Sequence, residues 1–464
     1  MNTNSPATVK KSIFKSVNML EGPIASSMLL YIVPIVLASF LSALYSTADM
    51  SVLGHFGSAE SVAAIGASGA VTSFLITIST AFSLGTNVLL ARAIGSKKRD
   101  EMQKTVGTSF VFSILIGVFM TALAEIFAYP FLRLTDCPEN IMDLAALYMR
   151  FFAAVMPASF FYSFMSNVLR LNGDTLRPFA YATVGGVVNV ALNLFFVIVC
   201  DMDLVGVALA TVIGSYLQSG LLFVRLMRLD GPCRLNIKNI CFDFGILHRM
   251  VKLGGPSSIS CIASSLSSIY MQIIVNGNGD IGTAGNTAAS NLENYMFGVF
   301  GALGAAIAAY MGQNIGADNR LRVRRSFLVG TGIMCSFAGA LMAAAHLFGR
   351  EILSAIYLPN APEAVAFGGV RVSLILGTAV LCALTYSISH AMQSFGLTFF
   401  QSVVDIALVC GLRALWLAVV YRIYPTPAIL YAAFPVSWVA VILVSGGYLL
   451  LSFHRYMRGR NYNV

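Results

Sequence analysis

The chain has 464 residues, 57% of them hydrophobic and only 11% charged, with a mean hydropathy of +0.79. Soluble globular proteins carry about 25% charged residues, so this composition excludes a soluble protein and specifies a polytopic membrane protein. The net charge of +9 does not indicate nucleic acid, because that footprint needs basic residues clustered on a water-facing domain, and no polar segment is long enough to form one.

In chain order, residues 1-25 read as a polar, basic cytoplasmic segment, expected to be retained because the apolar run that follows exceeds a signal-peptide core of roughly 7–15 residues. A span needs about 20 apolar residues, and twelve segments qualify: 26-53, 61-93, 105-129, 141-169, 178-200, 204-226, 250-275, 283-314, 326-348, 364-393, 398-421 and 427-453. With the N-terminus placed inside, 23 of the 29 basic residues fall in inner loops, from Lys10, Lys11 and Lys15 to Arg460. Five fall outside (Arg133, Arg150, Arg350, Arg371 and Arg422), and Arg413 stays within a helix. Basic residues accumulate on the cytoplasmic side, so both termini are expected there.

Shifting the chain by 221 to 223 positions superposes its halves. Pro34, Ser42, Leu44, Ser46 and Gly57 meet Pro256, Ser264, Leu266, Ser268 and Gly279; Ile94, Gly95 and Arg99 meet Ile315, Gly316 and Arg320; Pro138 and Arg150 meet Pro359 and Arg371. A repeat of about six helices, an even number, enters the membrane from one side twice, so the copies are parallel. The expectation is an all-α fold of twelve transmembrane helices. An N-lobe (26-228) and a C-lobe (248-454) flank a central cavity, joined by a cytoplasmic linker (229-247) and followed by a basic tail (455-464).

Asp49 is the central feature. It lies in an apolar span, where a carboxylate costs several kcal/mol and marks a functional site. At about 1.5 Å per residue it sits in the outer third of the membrane, and the shift of 222 pairs it with Met271, so only the first copy carries it. Tyr45, Ser46, Thr47 and Ser51 are polar neighbours. Asn189 and Asn193 are spaced i, i+4 and share one helical face, while Thr211 lies about two turns into the sixth span. Carboxylate, amide and hydroxyl oxygens form a hard donor set, suited to a proton or an alkali cation; these asparagines equally suit interhelical hydrogen bonding.

In the second half, Glu293, with Asn291 and Asn294 beside it, reads as a cavity acid for cationic substrate or a second proton site. Asp405, near the inner end of its span, reads as structural, and it could reach Arg413 only through intermediates. Pro34, Pro157 and Pro256 permit bending inside spans. The Gly and Ala run from Gly298 to Gly312 reads as close helix packing. The eight cysteines lack CxxC spacing and read as small apolar residues. The five histidines are dispersed, and no HExxH, GxSxG or GxxxxGK[ST] occurs. No enzyme, cofactor or ATP site is therefore expected, and pumping must draw on an ion gradient or another protein.

Six stretches, LYSTADMSVLGHFG from Leu44, LLARAIGSKKRDE from Leu89, NVLRLNGDTLRP from Asn167, VVNVALNLFFVI from Val187, GVALATVI from Gly206 and MGQNIGADNRLRVRR from Met311, resemble the multidrug and toxic compound extrusion (MATE) family in order and spacing. The resemblance implies a twelve-helix exporter of organic cations or drugs driven by Na+ or H+. It also implies an acid in the first helix, matched by Asp49, and an amide, an acid and a hydroxyl in helices five and six. Asn189 and Thr211 match the first and last of these, and Asn193 stands where the pattern has Asp. The lost carboxylate shifts the expectation from a two-carboxylate Na+ cage towards a single titrating group, with an Na+ site formed by Asp49, Asn189, Asn193 and Thr211 left open. Some relatives place a Glu in helix seven; the stretch after Pro256 has serines there, so that second-lobe cation site is expected to be absent.

The resulting expectation is an H+- or Na+-coupled antiporter in the inner membrane, acting as a monomer. It exports an organic, drug-like or metabolite substrate past a cavity that includes Tyr45, Glu293 and Asn294. A flippase for a lipid-linked precursor is the alternative. It calls for a basic cavity, whereas the intramembrane acids here outnumber the bases.

Overall fold

The computed structural model describes residues 16–134, 137–357 and 361–459, so Lys10, Lys11, Lys15, Pro359 and Arg460 of the charge and repeat arguments lie outside the described residues. The described residues form twelve helices long and apolar enough to cross a membrane, and no strands. In chain order these are α1 (Ile24–Phe56), α2 (Ala59–Gly95), α3 (Arg99–Leu134), α4 (Glu139–Leu171), α5 (Leu176–Val199) and α6 (Asp203–Met227). The second six are α7 (Phe244–Asn276), α8 (Gly279–Gly316), α9 (Arg320–Ala355), α10 (Pro362–Ser394), α11 (Thr398–Ile423) and α12 (Pro427–Met457).

Backbone groups in hydrocarbon must be satisfied within the segment, which is why every apolar run adopts one helix, even around internal prolines. Pro34, Pro157 and Pro256 lie inside α1, α4 and α7. The last turn of α5, Phe195–Val199, and the stretch Asp405–Gly411 of α11 widen into π-helix, a variant found mostly as short bulges and often near functional sites.

In the first lobe α4 packs against α2, α3 and α6, while α5 lies against α1 and α6. Phe110 of α3, Phe161 of α4 and Phe223 of α6 form an aromatic cluster with centroids 6.0–6.2 Å apart. In the second lobe α10 packs against α8, α9 and α12, and α7 runs beside α11.

The lobes meet through α1 and α2 on one side and α7 and α8 on the other. The approach is closest at the ends of α2 and α8. There a Cβ on Gly95 would strike the Gln313 backbone and one on Gly316 the Arg92 backbone, so glycine lets the two helices touch. Further along, Gly254 lies against Phe82, Tyr31 meets Tyr310 edge-on at 6.1 Å, and Phe40 stacks on Tyr295 at 5.5 Å. The Phe40–Tyr295 contact sits near mid-span of α1 and α8, and the others lie towards the end of the bundle that carries the chain termini.

At that end the segment Val17 to Gly22 crosses between the lobes. The Val17 N–H donates to Gly173 O (2.9 Å) in the α4–α5 turn. Met19, 1% exposed, has a carbonyl that accepts from Asn314 Nδ2 (3.2 Å) and Arg322 Nε (3.1 Å). The remaining Arg322 nitrogens donate to Glu21 O (2.8 Å) and Gly22 O (3.0 Å). Gly173, at φ +84, adopts a conformation open to glycine, and a side chain there would collide with Val17.

Candidate functional site

The first-lobe site is held between α1, α5 and α6. Asn193 Nδ2 donates a short hydrogen bond to Asp49 Oδ1. One turn away, Asn189 Nδ2 donates to Thr211 Oγ1 (3.3 Å), and Thr211 Oγ1 donates to Val207 O (2.9 Å). Asp49, Asn193, Asn189 and Thr211 thus form two adjoining pairs, with no direct bond between Asp49 and Thr211. Tyr148 of α4 lies within electrostatic reach of Asp49.

The site has this shape because α1 docks closely on α5. Gly186 receives the Tyr45 ring, which a Cβ would strike, and the Tyr45 hydroxyl donates to Thr183 O (3.3 Å). Tyr45 is therefore fixed to α5. At the end of α1 away from the termini, Asp203 accepts from Ser58 N (3.2 Å), Ser58 Oγ (2.7 Å) and Ser61 Oγ (2.7 Å), tying the α1–α2 turn to the start of α6. Sequence reasoning missed this positioning residue; a lone Asp at a helix start gives no signal of its distant partners.

Asn193 is fully buried, and among the described residues its Oδ1 has no hydrogen-bond partner. Since a buried acceptor without a partner costs about 1–3 kcal/mol, the arrangement is complete only when Oδ1 finds a donor or a cation. A proton on Asp49 or an alkali ion beside it would supply one, so the residues present fit a monovalent cation. Among the described residues there is no group of three or more His, Cys, Asp and Glu that could hold a metal ion.

The second lobe departs from expectation. Glu293 does not line a cavity: it is 1% exposed and receives Arg371 in a two-pronged pair, Nε to Oε1 and Nη2 to Oε2, both 2.7 Å. Arg371, assigned to an outer loop from sequence, is 8% exposed within α10. Its Nη1 donates a short bond to Asn286 Oδ1, which also accepts from the Tyr431 hydroxyl (2.9 Å), while Asn286 Nδ2 donates to Gln272 Oε1 (2.9 Å). The physical reason is desolvation: a buried carboxylate persists only if paired and hydrogen-bonded, and Arg371 is the base within reach. Two guanidiniums therefore lie among the membrane-spanning acids, and Glu293 is neutralised, which narrows the acid excess weighed against the flippase.

Asn294 is exposed, next to the Tyr295 that stacks on Phe40. Arg413 donates to Ser437 Oγ (2.8 Å), with its guanidinium 4.2 Å from the Phe434 ring centroid. Asp405 accepts from Gln401 Nε2 (2.8 Å), and the two charges do not pair. Of the cysteines, only Cys137, Cys233 and Cys382 are buried, so the core reading applies to those three.

The MatE family model matches the chain twice, at residues 34–195 and 256–417, the second match beginning 222 positions after the first. The chain is 27% identical over 431 residues to the probable multidrug resistance protein YoeA of Bacillus subtilis, covering 91% of this chain and 92% of that protein. It is 24% identical over 368 residues to the probable multidrug resistance protein YpnP of the same organism, covering 76% and 79%. A solved structure of MATE in complex with MaL6 superposes with a TM-score of 0.88 at 20% identity, covering 96% of this chain and 99% of that one. With the double family match spanning both lobes, the chain belongs to the MatE family, a family of multi-pass membrane transporters rather than enzymes.

Proposed function

We propose that this protein is a monovalent-cation-coupled antiporter that exports drug-like organic compounds, cationic ones among them, by alternating access between its lobes. The observation that carries the coupling is the Asp49–Asn193 bond beside the unpartnered Asn193 Oδ1. Ionised, Asp49 accepts from the amide NH2. Protonated, it becomes a donor and calls for an acceptor, which Asn193 Oδ1 offers once the amide turns over; an Na+ ion would call for the same turn. Either occupant rearranges the contact of α1 with α5.

That rearrangement has a route to the other lobe. α1 contains Pro34, and its half nearer the termini packs on α8 and α9. A proline frees a backbone carbonyl and permits bending, so a change at Asp49 alters the part of α1 that holds the second lobe. The basic inner loops support cytoplasmic termini, and the closest contacts between the lobes, at the terminal end, support a state closed inside and open outside.

The single carboxylate at the Asp49–Asn193 site favours H+ over Na+, because Asn193 stands where the family pattern has an acid. The names of the relatives support drug-like substrates. The flippase reading calls for free basic groups in the cavity, and Arg371 is already occupied by Glu293.

The test is transport of a cationic dye in inverted vesicles under imposed pH and Na+ gradients. Asp49→Asn is expected to lose at least tenfold of the gradient-driven flux while keeping wild-type membrane insertion. Unchanged gradient dependence in that variant overturns the role of Asp49.

A further inference from the structure

The exporter reading leaves one charge of the second lobe without a task. Arg413 lies within α11, fifteen residues from Thr398 and ten from Ile423. At about 1.5 Å per residue, that is about 15 Å or more from either end of the helix. Leu415, two positions on, is 60% exposed on the surface of the bundle. Two residues turn an α-helix by about 200°, so Arg413 points the opposite way, into the lobe.

A guanidinium carries five N–H donors. Arg413 uses one of them: Nε donates to Ser437 Oγ of α12 (2.8 Å), while the guanidinium carbon lies 4.2 Å from the Phe434 ring centroid. Among the described residues its Nη1 and Nη2 meet no acceptor, and no carboxylate lies within 4 Å. Glu293 of α8 is within electrostatic reach, but both of its oxygens accept from Arg371. Asp405, about two turns away on α11, accepts from Gln401. Cys382 and Tyr386 of α10 also lie within reach, both neutral groups, and Cys410 donates to Ala263 O (2.8 Å). Arg371 faces the same Phe434 ring at 5.7 Å. Two guanidiniums thus share one ring, Glu293 balances one of them, and the charge of Arg413 is left over.

We propose that Arg413 anchors an oxyanion site in the second lobe, which takes the carboxylate, sulfonate or phosphate of an organic molecule. Charged side chains at membrane depth are costly and, as a rule, face a partner or a cavity. An oxyanion supplies the partner that Arg413 lacks, because its Nη pair matches two oxygens of such a group at once. Aromatic side chains provide the wall for an organic body. Trp438 lies 6.1 Å from Phe434, and Trp416, one turn beyond Arg413, is held by its Nε1–H on Ile429 O (2.9 Å). The π-helical stretch Asp405–Gly411 ends two residues before Arg413, and such widened turns are frequent at functional sites. The depth of Arg413 favours a soluble organic anion over a lipid headgroup, whose phosphate stays at the membrane surface.

Both tryptophans of the chain adjoin the site, so their fluorescence reads binding in the purified full chain held in phosphatidylcholine nanodiscs. The probe is 4-nitrobenzoate, and its uncharged control is 4-nitrobenzamide. The expected result is saturable quenching by the benzoate, with a midpoint at least tenfold below that of the benzamide and raised at least tenfold in Arg413→Gln. Arg413→Lys keeps the charge without the fork and is expected to fall between the two. Equal midpoints for both probes in wild type, a comparison that needs no variant, overturn the proposal, as does an unmoved midpoint in Arg413→Gln. Phosphatidylglycerol is then added to the discs at high salt, which screens their surface charge. An unchanged benzoate midpoint supports a soluble anion, and a raised one overturns that assignment in favour of the lipid headgroup.

That the bound anion is cargo rests on the exporter reading. Arg413→Gln should then lower gradient-driven flux of carboxyfluorescein, an anionic dye, at least tenfold relative to that of a cationic dye in inverted vesicles. Absence of gradient-driven flux of either dye in wild type would remove the exporter reading and leave the quenching result on Arg413 standing.

Discussion

Arg371 and Glu293 show what a buried ion pair can and cannot do in a lipid-embedded lobe. Their two parallel bonds and the Asn286, Tyr431 and Gln272 partners satisfy both charges. Removing one partner strands the other, which costs about 3–5 kcal/mol, whereas exchanging both for apolar groups is often neutral. Glu293→Gln should therefore lower the melting temperature in detergent sharply, and Glu293→Gln with Arg371→Met should recover most of the loss. Equal melting of Glu293→Gln and wild type would show that the pair does not hold the lobe. The pair was not legible in the sequence. Its members are 78 positions apart, and an arginine near a helix start looks like a loop base. Asp49 and Asn193 were legible in part, because helical periodicity and depth constrain two polar residues on short apolar spans. Their direct bond depends on how α1 rotates against α5, which the small Gly186 permits and no spacing reveals.

At the scale of the helix, the twelve spans were readable because hydrocarbon imposes one solution on a long apolar run. Their ends extend beyond the apolar runs, since polar first turns continue the helix into water. The start of α7 is an example. Asp243 caps it, accepting from Ile246 N (3.0 Å), while its own N–H donates to Thr108 Oγ1 of α3 (3.0 Å) and Lys104 lies 3.9 Å from its carboxylate. The Ile246 backbone N–H, then that of Gly245 and the nearby Lys104 and Arg249 charges, hold the Asp243 carboxyl below its ordinary range. A depressed carboxyl contributes stability that is present above its unfolded value and lost as pH falls through the folded one. Asp243→Asn keeps an acceptor but cannot titrate. Its deficit in melting temperature relative to wild type should thus be largest near neutrality and shrink in acid, with a pH-independent deficit contradicting the assignment.

For the whole molecule, the repeat was legible because offset identities persist along the chain, and the paired family matches follow the same offset. The way the lobes meet was not, since it depends on backbone contact at Gly95 and Gly316 and on a segment outside the spans. Arg322 gives three hydrogen bonds to that segment. At a net 0.5–1.5 kcal/mol for each typical bond, Arg322→Ala should shift the balance between lobe arrangements by about tenfold or more. Spin labels at Lys98 and Arg324 should report a new, longer distance population in that variant; an unchanged distribution would mean that the glycine contacts suffice.

The same crossing segment bears on how the protein is made. Gly22 and the Arg322 that holds it are separated by 300 positions. At roughly 5–20 residues per second of synthesis, about 15–60 s pass between them. During that interval the first lobe is made and inserted while Val17 to Gly22 has nothing on the second-lobe side to bind. Sealing of the terminal end is therefore a late assembly step, completed only after α9 has emerged, and a nascent chain that stalls before it would leave this end of the first lobe uncovered to the quality-control machinery.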